Sequence, residues 1–268
     1  MSKIHATALV DPSAKLGADV EVGPFSVVGP HVELGDGVIL HSHTAVEGRT
    51  SIGSGCRVFP FASLGQAPQD IKYHDEPSTL TVGPNTIIRE HVTIHRGTES
   101  GHMATRVGAD CFLMIGVHIA HDCDIGDNVT LVNGVTLGGH VSIGDGAIVG
   151  GLSAVHQFVR IGAYSFVGGM SGVAADLIPY GMALGNRANL NGLNIVGLKR
   201  KGFPREQIHE LRQAYRMLFS SEGTLKERLE DVEHMFSKNA LAKQIIDFIK
   251  SDSDRSFCVP NNVATPSR

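Results

Sequence analysis

The chain has 268 residues, of which 6% are aromatic, none is Trp and 32 are Gly, so any core must be built from aliphatic side chains. A formal charge of −4 and a pI near 6.4 argue against a general nucleic-acid binder, and no apolar run is long enough to span a membrane. Met1-Ser2-Lys3-Ile4 carries no signal-peptide pattern, and the 4 cysteines have neither metal nor disulfide spacing, so a reducing, cytoplasmic setting is expected.

From Ile4 an aliphatic residue returns at every sixth position as far as Leu64. The frame resumes from Val82 to Ile94 and then, shifted by one, runs from Val107 to Val173. All twenty-six positions are Ile, Leu or Val; four places after each stands Ala, Ser, Thr, Cys or Val, with Pro68 and Leu177 the two exceptions. Such a unit is a short strand that buries one aliphatic and one small side chain before turning. Three units make a coil of eighteen residues, and coils pair edge to edge about 4.8 Å apart, so stability comes from stacking. Cys56, Cys111 and Cys123 occupy the small column and are read as core packing. The pattern resembles the hexapeptide-repeat, left-handed parallel β-helix family from residue 4 to about 178. The resemblance implies the left hand, a homotrimer, and sites in clefts between neighbouring prisms.

Two stretches break the frame, 65–81 and 98–106, and are expected to project as loops. Beyond them an eighteen-residue step places His121, Gly139 and Gln157 in one column, with Asp122 and His140 in the next and His156 beside Gln157. These six form a polar cluster about 10 Å tall. An imidazole in such a cluster suits general-base work or metal binding. His118 and Asn133 lie nearby on undetermined faces. His5, His31, His41, His43, His91 and His102 are read as ordinary polar turn positions.

After Ala175 the hexads fail. Pro204 opens a helical pattern carrying Ile208, Leu211, Tyr215 and Leu218. Thr224-Leu225-Lys226-Glu227 reads as a capping box, and a further helix is expected over about 240–250. The organisation is therefore an all-β left-handed parallel β-helix over 1–186, a small C-terminal α-helical cap over 187–253, and a polar, flexible tail over 254–268.

No nucleophile elbow, phosphate loop, dinucleotide fingerprint or H-E-x-x-H motif is present. A histidine base beside a glycine that lets a carbonyl oxygen approach the backbone is the combination left, and it points to direct acyl transfer. HIAHDC (118–123), LGGHVSI (137–143), AVHQFVRIG (154–162), GGMSGVAAD (168–176), GLNIVGLKRKGF (192–203) and GQAPQDIKY (65–73) together resemble the UDP-N-acetylglucosamine O-acyltransferases that open lipid A biosynthesis in Gram-negative bacteria. The resemblance implies transfer of a 3-hydroxyacyl chain from acyl carrier protein to the 3-hydroxyl of UDP-N-acetylglucosamine. It makes His121 the general base, Asp122 its orienting partner and Gly139 the oxyanion donor. It places Gln69, Asp70, Lys72, His118, His140, His156, Gln157, Asn194, Arg200 and Lys201 around the substrates, and Gly169 where a bulkier residue shortens the acyl pocket. No resident cofactor or metal is implied, since the chain arrives on the carrier's phosphopantetheine. Lys201 stands where the family often has a second Arg, Val196 where some members have Glu, and Arg187 where a His is common. A zinc site on His118, His121 and His140, an amino-sugar acceptor, and a non-catalytic scaffold remain alternatives.

Overall fold

The eighteen-residue step appears directly in the strand register: Glu21 pairs with Ile39 and Val22 with Leu40, in parallel, and so on up the molecule. A computed structural model describes all residues except Met1, Asp252, Asp254 and 262–268. The hexads wind into a left-handed parallel β-helix with three flat faces. The first face starts at Lys3–Ile4 and holds 11 strands, the second starts at Leu9–Val10 and holds 9, and the third starts at Lys15–Leu16 and holds 8. Most strands are two residues long, because the aliphatic residue of each hexad turns inward and the next residue already enters a corner.

The aliphatic column is the core. From Val22 to Val173 each of its members is at most 3% exposed, and each such burial contributes roughly 1.5–3 kcal/mol. Ile4, at 48% exposed, with Val10 and Leu16, escapes this rule because the first coil has nothing beneath it. Cys56, Cys111 and Cys123 lie in the interior, where burial raises the pKa of each thiol.

Both insertions leave from the corner between the second and third faces. Arg57 pairs with Ile87, thirty residues on rather than eighteen, an insertion of twelve. Ile87 pairs with Phe112, an insertion of seven. The loops are shorter than the sequence suggests: Thr79–Val82 and Ala104–Val107 are strands of the third face, so the projecting stretches are 67–78 and 96–103.

The sheet also runs past residue 186. Gly181–Leu184 adds to the first face, and Asn189–Leu193 folds back against it as the antiparallel strand of that face. Four helices follow: α1 (Ile195–Arg200), α2 (Arg205–Leu218), α3 (Leu225–Met235) and α4 (Ala240–Lys250). Thr224 and Glu227 form the expected capping box of α3, and Leu211, Leu218, Val232 and Ile245 meet in the cap's interior. Among the described residues no helix is long and apolar enough to cross a membrane.

A buried ion pair ties cap to prism. Arg160 donates from Nε to Asp176 Oδ2 at 2.9 Å, lays its guanidinium 4.4 Å from the Phe248 ring and reaches Ser251 Oγ at 2.7 Å. The expected flexible tail is corrected over its described part. Phe257, Cys258 and Val259 are buried, and the strap they form hydrogen-bonds to the backbone of Asp176 and Leu190. These apolar residues follow a polar run, which disguised them. The remainder of 254–268 lies outside the described residues.

Candidate active site

The corner between the second and third faces carries the chemistry. Asp122 occupies it in the left-handed backbone region, φ 58°, which a short acidic residue tolerates. Its carboxylate is fully buried and accepts from four directions. Thr98 Oγ1 donates at 2.6 Å, Thr98 N at 3.1 Å, His102 N at 2.9 Å and His121 Nδ1 at 2.8 Å. Burial alone would raise the carboxyl's pKa, but these hydrogen bonds outweigh it and bring it down to about 2. The second insertion exists locally to make these bonds. Gly101 closes the wrap, since a Cβ there would lie 2.3 Å from the Asp122 carboxyl carbon.

The ionised carboxylate fixes His121: its Nδ1 carries the proton given to Asp122, which leaves the lone pair on Nε2. Gly139 sits one coil up, where a Cβ would lie 2.6 Å from His121 Cε1 and 2.8 Å from Nε2. Only glycine leaves room for that ring. Among the described residues nothing accepts a hydrogen bond from the Gly139 N–H.

Further imidazoles line the same corner. His140 meets His121 edge-on at 5.1 Å and stacks on Phe158 at 4.4 Å, and its backbone N donates to His121 O. Burial lowers its pKa, against the pull of Asp122 and of Asp70 from the first loop. His118 shares a 2.7 Å hydrogen bond with Thr93 Oγ1 and is likewise lowered by burial. Two histidines were missed. His102, read as a plain turn residue, gives its backbone N–H to Asp122 and its ring edge to His140. His95 packs edge-on against His118 at 5.0 Å, and burial, then the neighbouring His118 and His121, bring its pKa down to about 4. A step of twenty-five across the second insertion, in place of eighteen, would have placed His95 and Arg96 beneath Ala120 and His121.

The remaining sequence-derived residues divide into groups. Gln157 and His156 continue the corner upward, both exposed. Asp70 reaches the cluster electrostatically and accepts from the backbone N of Lys72, while Gln69 and Lys72 stay exposed on the loop. Asn194, Arg200 and Lys201 are elsewhere, at the corner between the third and first faces. Asn194 Oδ1 caps α1 through Gly197 N at 3.0 Å, and its Nδ2 donates to Tyr164 O. Arg200 and Lys201 rim an apolar groove floored by Ile148, Phe166 and Met182. Gly169 is exposed on the third corner, where a Cβ would lie 3.2 Å from its nearest neighbour, Gly151 O.

His121, Asp122 and His140 bring one potential metal-ligand atom each within 4.8 Å of one another. Among the described residues of one protomer His118 is not of this set, so a single chain does not bring the three histidines together. Both Asp122 oxygens are also committed to hydrogen bonds.

Comparison with known proteins identifies the family. Residues 13–48 and 104–139 match the family described as bacterial transferase hexapeptide (six repeats), and residues 176–258 match that described as Udp N-acetylglucosamine O-acyltransferase, domain 2. The acyl-[acyl-carrier-protein]–UDP-N-acetylglucosamine O-acyltransferase of Caulobacter vibrioides is 56% identical over 257 residues, 96% of this chain and 98% of that one. The UDP-N-acetylglucosamine O-acyltransferase structure from Moraxella catarrhalis is 42% identical with a TM-score of 0.91, covering 95% of this chain and 99% of that one. The Francisella novicida UDP-N-acetylglucosamine acyltransferase is 37% identical with a TM-score of 0.93, over 97% and 95% respectively. With that likeness spanning prism, insertions and cap alike, the chain is an acyltransferase and belongs to the acyl-[acyl-carrier-protein]–UDP-N-acetylglucosamine O-acyltransferase family.

Proposed function

We propose that the protein transfers a 3-hydroxyacyl chain from the phosphopantetheine thioester of acyl carrier protein to the 3-hydroxyl of UDP-N-acetylglucosamine, the opening step of lipid A biosynthesis, in the cytoplasm. The observation that carries the mechanism is the buried Asp122 carboxylate that holds His121 Nδ1 and leaves Nε2 against Gly139. Nε2 takes the proton of the sugar hydroxyl as its oxygen attacks the thioester carbonyl. The Gly139 N–H donates to the oxyanion of the tetrahedral intermediate. On collapse the phosphopantetheine sulfur leaves and receives the proton back from His121. General-base help of this kind contributes about 10²–10⁴ in rate, and no resident cofactor or metal enters the scheme.

His118, His140, Asp70, Lys72 and Gln69 surround the sugar in this reading, and His156 and Gln157 lie further along the cleft. Asn194, Arg200 and Lys201 occupy a different corner of the same prism, so one protomer does not unite them with His121. A homotrimer in which the second face of one copy meets the first face of the next brings the two corners together. The basic pair also suits an acidic carrier protein. Gly169 leaves room for a long acyl chain.

A product assay by mass spectrometry tests the reading, with purified protein, UDP-N-acetylglucosamine and 3-hydroxyacyl carrier protein. The expected acylated nucleotide sugar disappears with His121→Ala and survives a chelator. Loss on chelation alone would favour a metal at His121, Asp122 and His140. Mixing His121→Ala with an Arg200→Ala, Lys201→Ala variant checks the assembly: restored activity in mixed oligomers requires a shared site.

A further inference from the structure

The C-terminal strap delivers a guanidinium to the active-site corner. Arg255 Nη2 lies 2.9 Å from His156 Nδ1, and Arg255 Nε donates to Gln157 O at 3.1 Å. The arginine is set in place from both sides. Ser253 Oγ donates to Asp176 Oδ2 at 2.6 Å, and beyond it Ser256 O and Cys258 N bracket the Asp176 backbone at 2.8 Å each. His156 in turn lines a groove with Ala154, Gly172 and Arg187, whose opposite wall is the strap itself.

A guanidinium has donors only and keeps its charge. The Nδ1 it meets therefore presents a lone pair, and the proton of the neutral His156 ring sits on Nε2. The alternative tautomer would aim Nδ1–H at Gln157 O, 3.1 Å away. Arg255 Nε already donates to that carbonyl, and Arg255 Nη2 would then confront the N–H. Two arms of one fork thus select the tautomer and occupy its competing acceptor. Choosing which ring nitrogen bears the proton through a bond to the other is the usual way an imidazole is oriented.

Building on the site described above, we propose that Arg255 is a positioning residue of the acyltransferase, holding His156 as the Nε2–H tautomer so that the ring meets substrate as a hydrogen-bond donor. Arg255 touches neither sugar nor thioester in this assignment and acts only through His156.

The test is a double-mutant cycle on the intact protein, using the product assay with Arg255→Ala, His156→Ala and the pair. Arg255→Lys serves as a milder second variant, and long-range proton–nitrogen NMR on histidine-labelled protein reads the tautomer. Arg255→Ala is expected to lower kcat/KM about tenfold in the wild-type background and less than twofold in His156→Ala, the non-additivity of residues acting as a unit. The proton of His156 should move towards Nδ1. Arg255→Lys, which keeps the charge and loses the fork, should recover only part of the activity. Equal losses in both backgrounds, or an unchanged tautomer in Arg255→Ala, overturn the proposal and leave Arg255 as a pin for the strap. A His121→Ala control separates the two readings, since full activity there would remove the site assignment itself.

Discussion

Asp122 and His121 are consecutive residues of one turn, yet their side chains face each other, Oδ2 to Nδ1, at 2.8 Å. The positive φ of Asp122 swings its carboxylate inward beneath the imidazole, where the second insertion closes over it. Orienting group and base thus come from a single corner and need no long-range folding to meet.

Asp122→Asn separates the chemistry from the packing. The amide keeps the shape but turns an N–H2 towards donors that now lack an acceptor, and it removes the charge that stabilises an imidazolium. A fall of about 10²–10⁴ in kcat/KM is expected, read by steady-state kinetics. The same change bears on acid stability. An ordinary aspartate titrates at 3.8 and Asp122 at about 2, so the folded state favours the ionised form. Its stabilisation is complete above about pH 4 and is lost as pH falls towards 2, and the difference is worth about 2–3 kcal/mol. Acid unfolding of Asp122→Asn should lack that limb, and an unchanged acid curve would contradict the assignment.

His95 adds a second loss of stability on acidification, in a higher window. It titrates at about 4 when folded, against 6.5 for a free imidazole, so the unfolded chain binds the extra proton first. Stability from this group is intact above pH 6.5 and declines as pH drops through 6.5 towards 4. Replacing the ring with an apolar one of similar size, His95→Phe, should flatten the unfolding profile between those values. Denaturant midpoints at half-unit pH steps give the answer, and an unaltered slope would mean that His95 is hydrated in solution.

Gly139→Ala puts a Cβ within 2.6 Å of the His121 ring. The ring must rotate away from Asp122 or the corner must shift. A loss of about 10² or more in kcat is expected for a base displaced from its reacting atom, with a melting temperature close to that of the parent protein because the position is a turn. A large drop in melting temperature would show that the glycine serves the fold instead.

The Arg160–Asp176 pair predicts a purely structural effect. Asp176→Ala takes the buried carboxylate from a partly buried guanidinium, at a cost of at most about 3–5 kcal/mol. It also removes the carboxylate that accepts from Ser253 Oγ at 2.6 Å and so loosens the start of the strap, whose backbone hydrogen bonds to Asp176 stay. Limited proteolysis should release the residues after Lys250 faster than in the parent protein, and protection equal to the parent's would show that the apolar strap residues hold it unaided.

The prism was legible because its constraint is local and repeated: a residue such as Leu131 is forced to be aliphatic by its place in a hexad, whatever the rest of the chain does. The upper part of the site was legible for the same reason, since His121, Gly139 and Gln157, and beside them Asp122 and His140, follow one step of eighteen. Thr98, His102 and His95 were not, because an insertion changes the step without announcing its length. The hairpin of Gly181–Leu184 with Asn189–Leu193 and the six-residue α1 escaped because neither is long enough to show a period. Arg255 escaped for a different reason: its meaning depends on a contact with a residue 99 positions earlier, and polar neighbours surround it in the sequence.

Because the two inserts depart from and return to the same corner, their lengths are invisible to the strand lattice. Seven extra residues leave Leu113 above Ile88 as securely as none leaves Leu131 above Leu113. The architecture therefore separates what can be edited from what must be kept: a designer, or a lineage, can lengthen or trim 96–103 and so rebuild the cradle around Asp122 while every rung of the scaffold stays where it was.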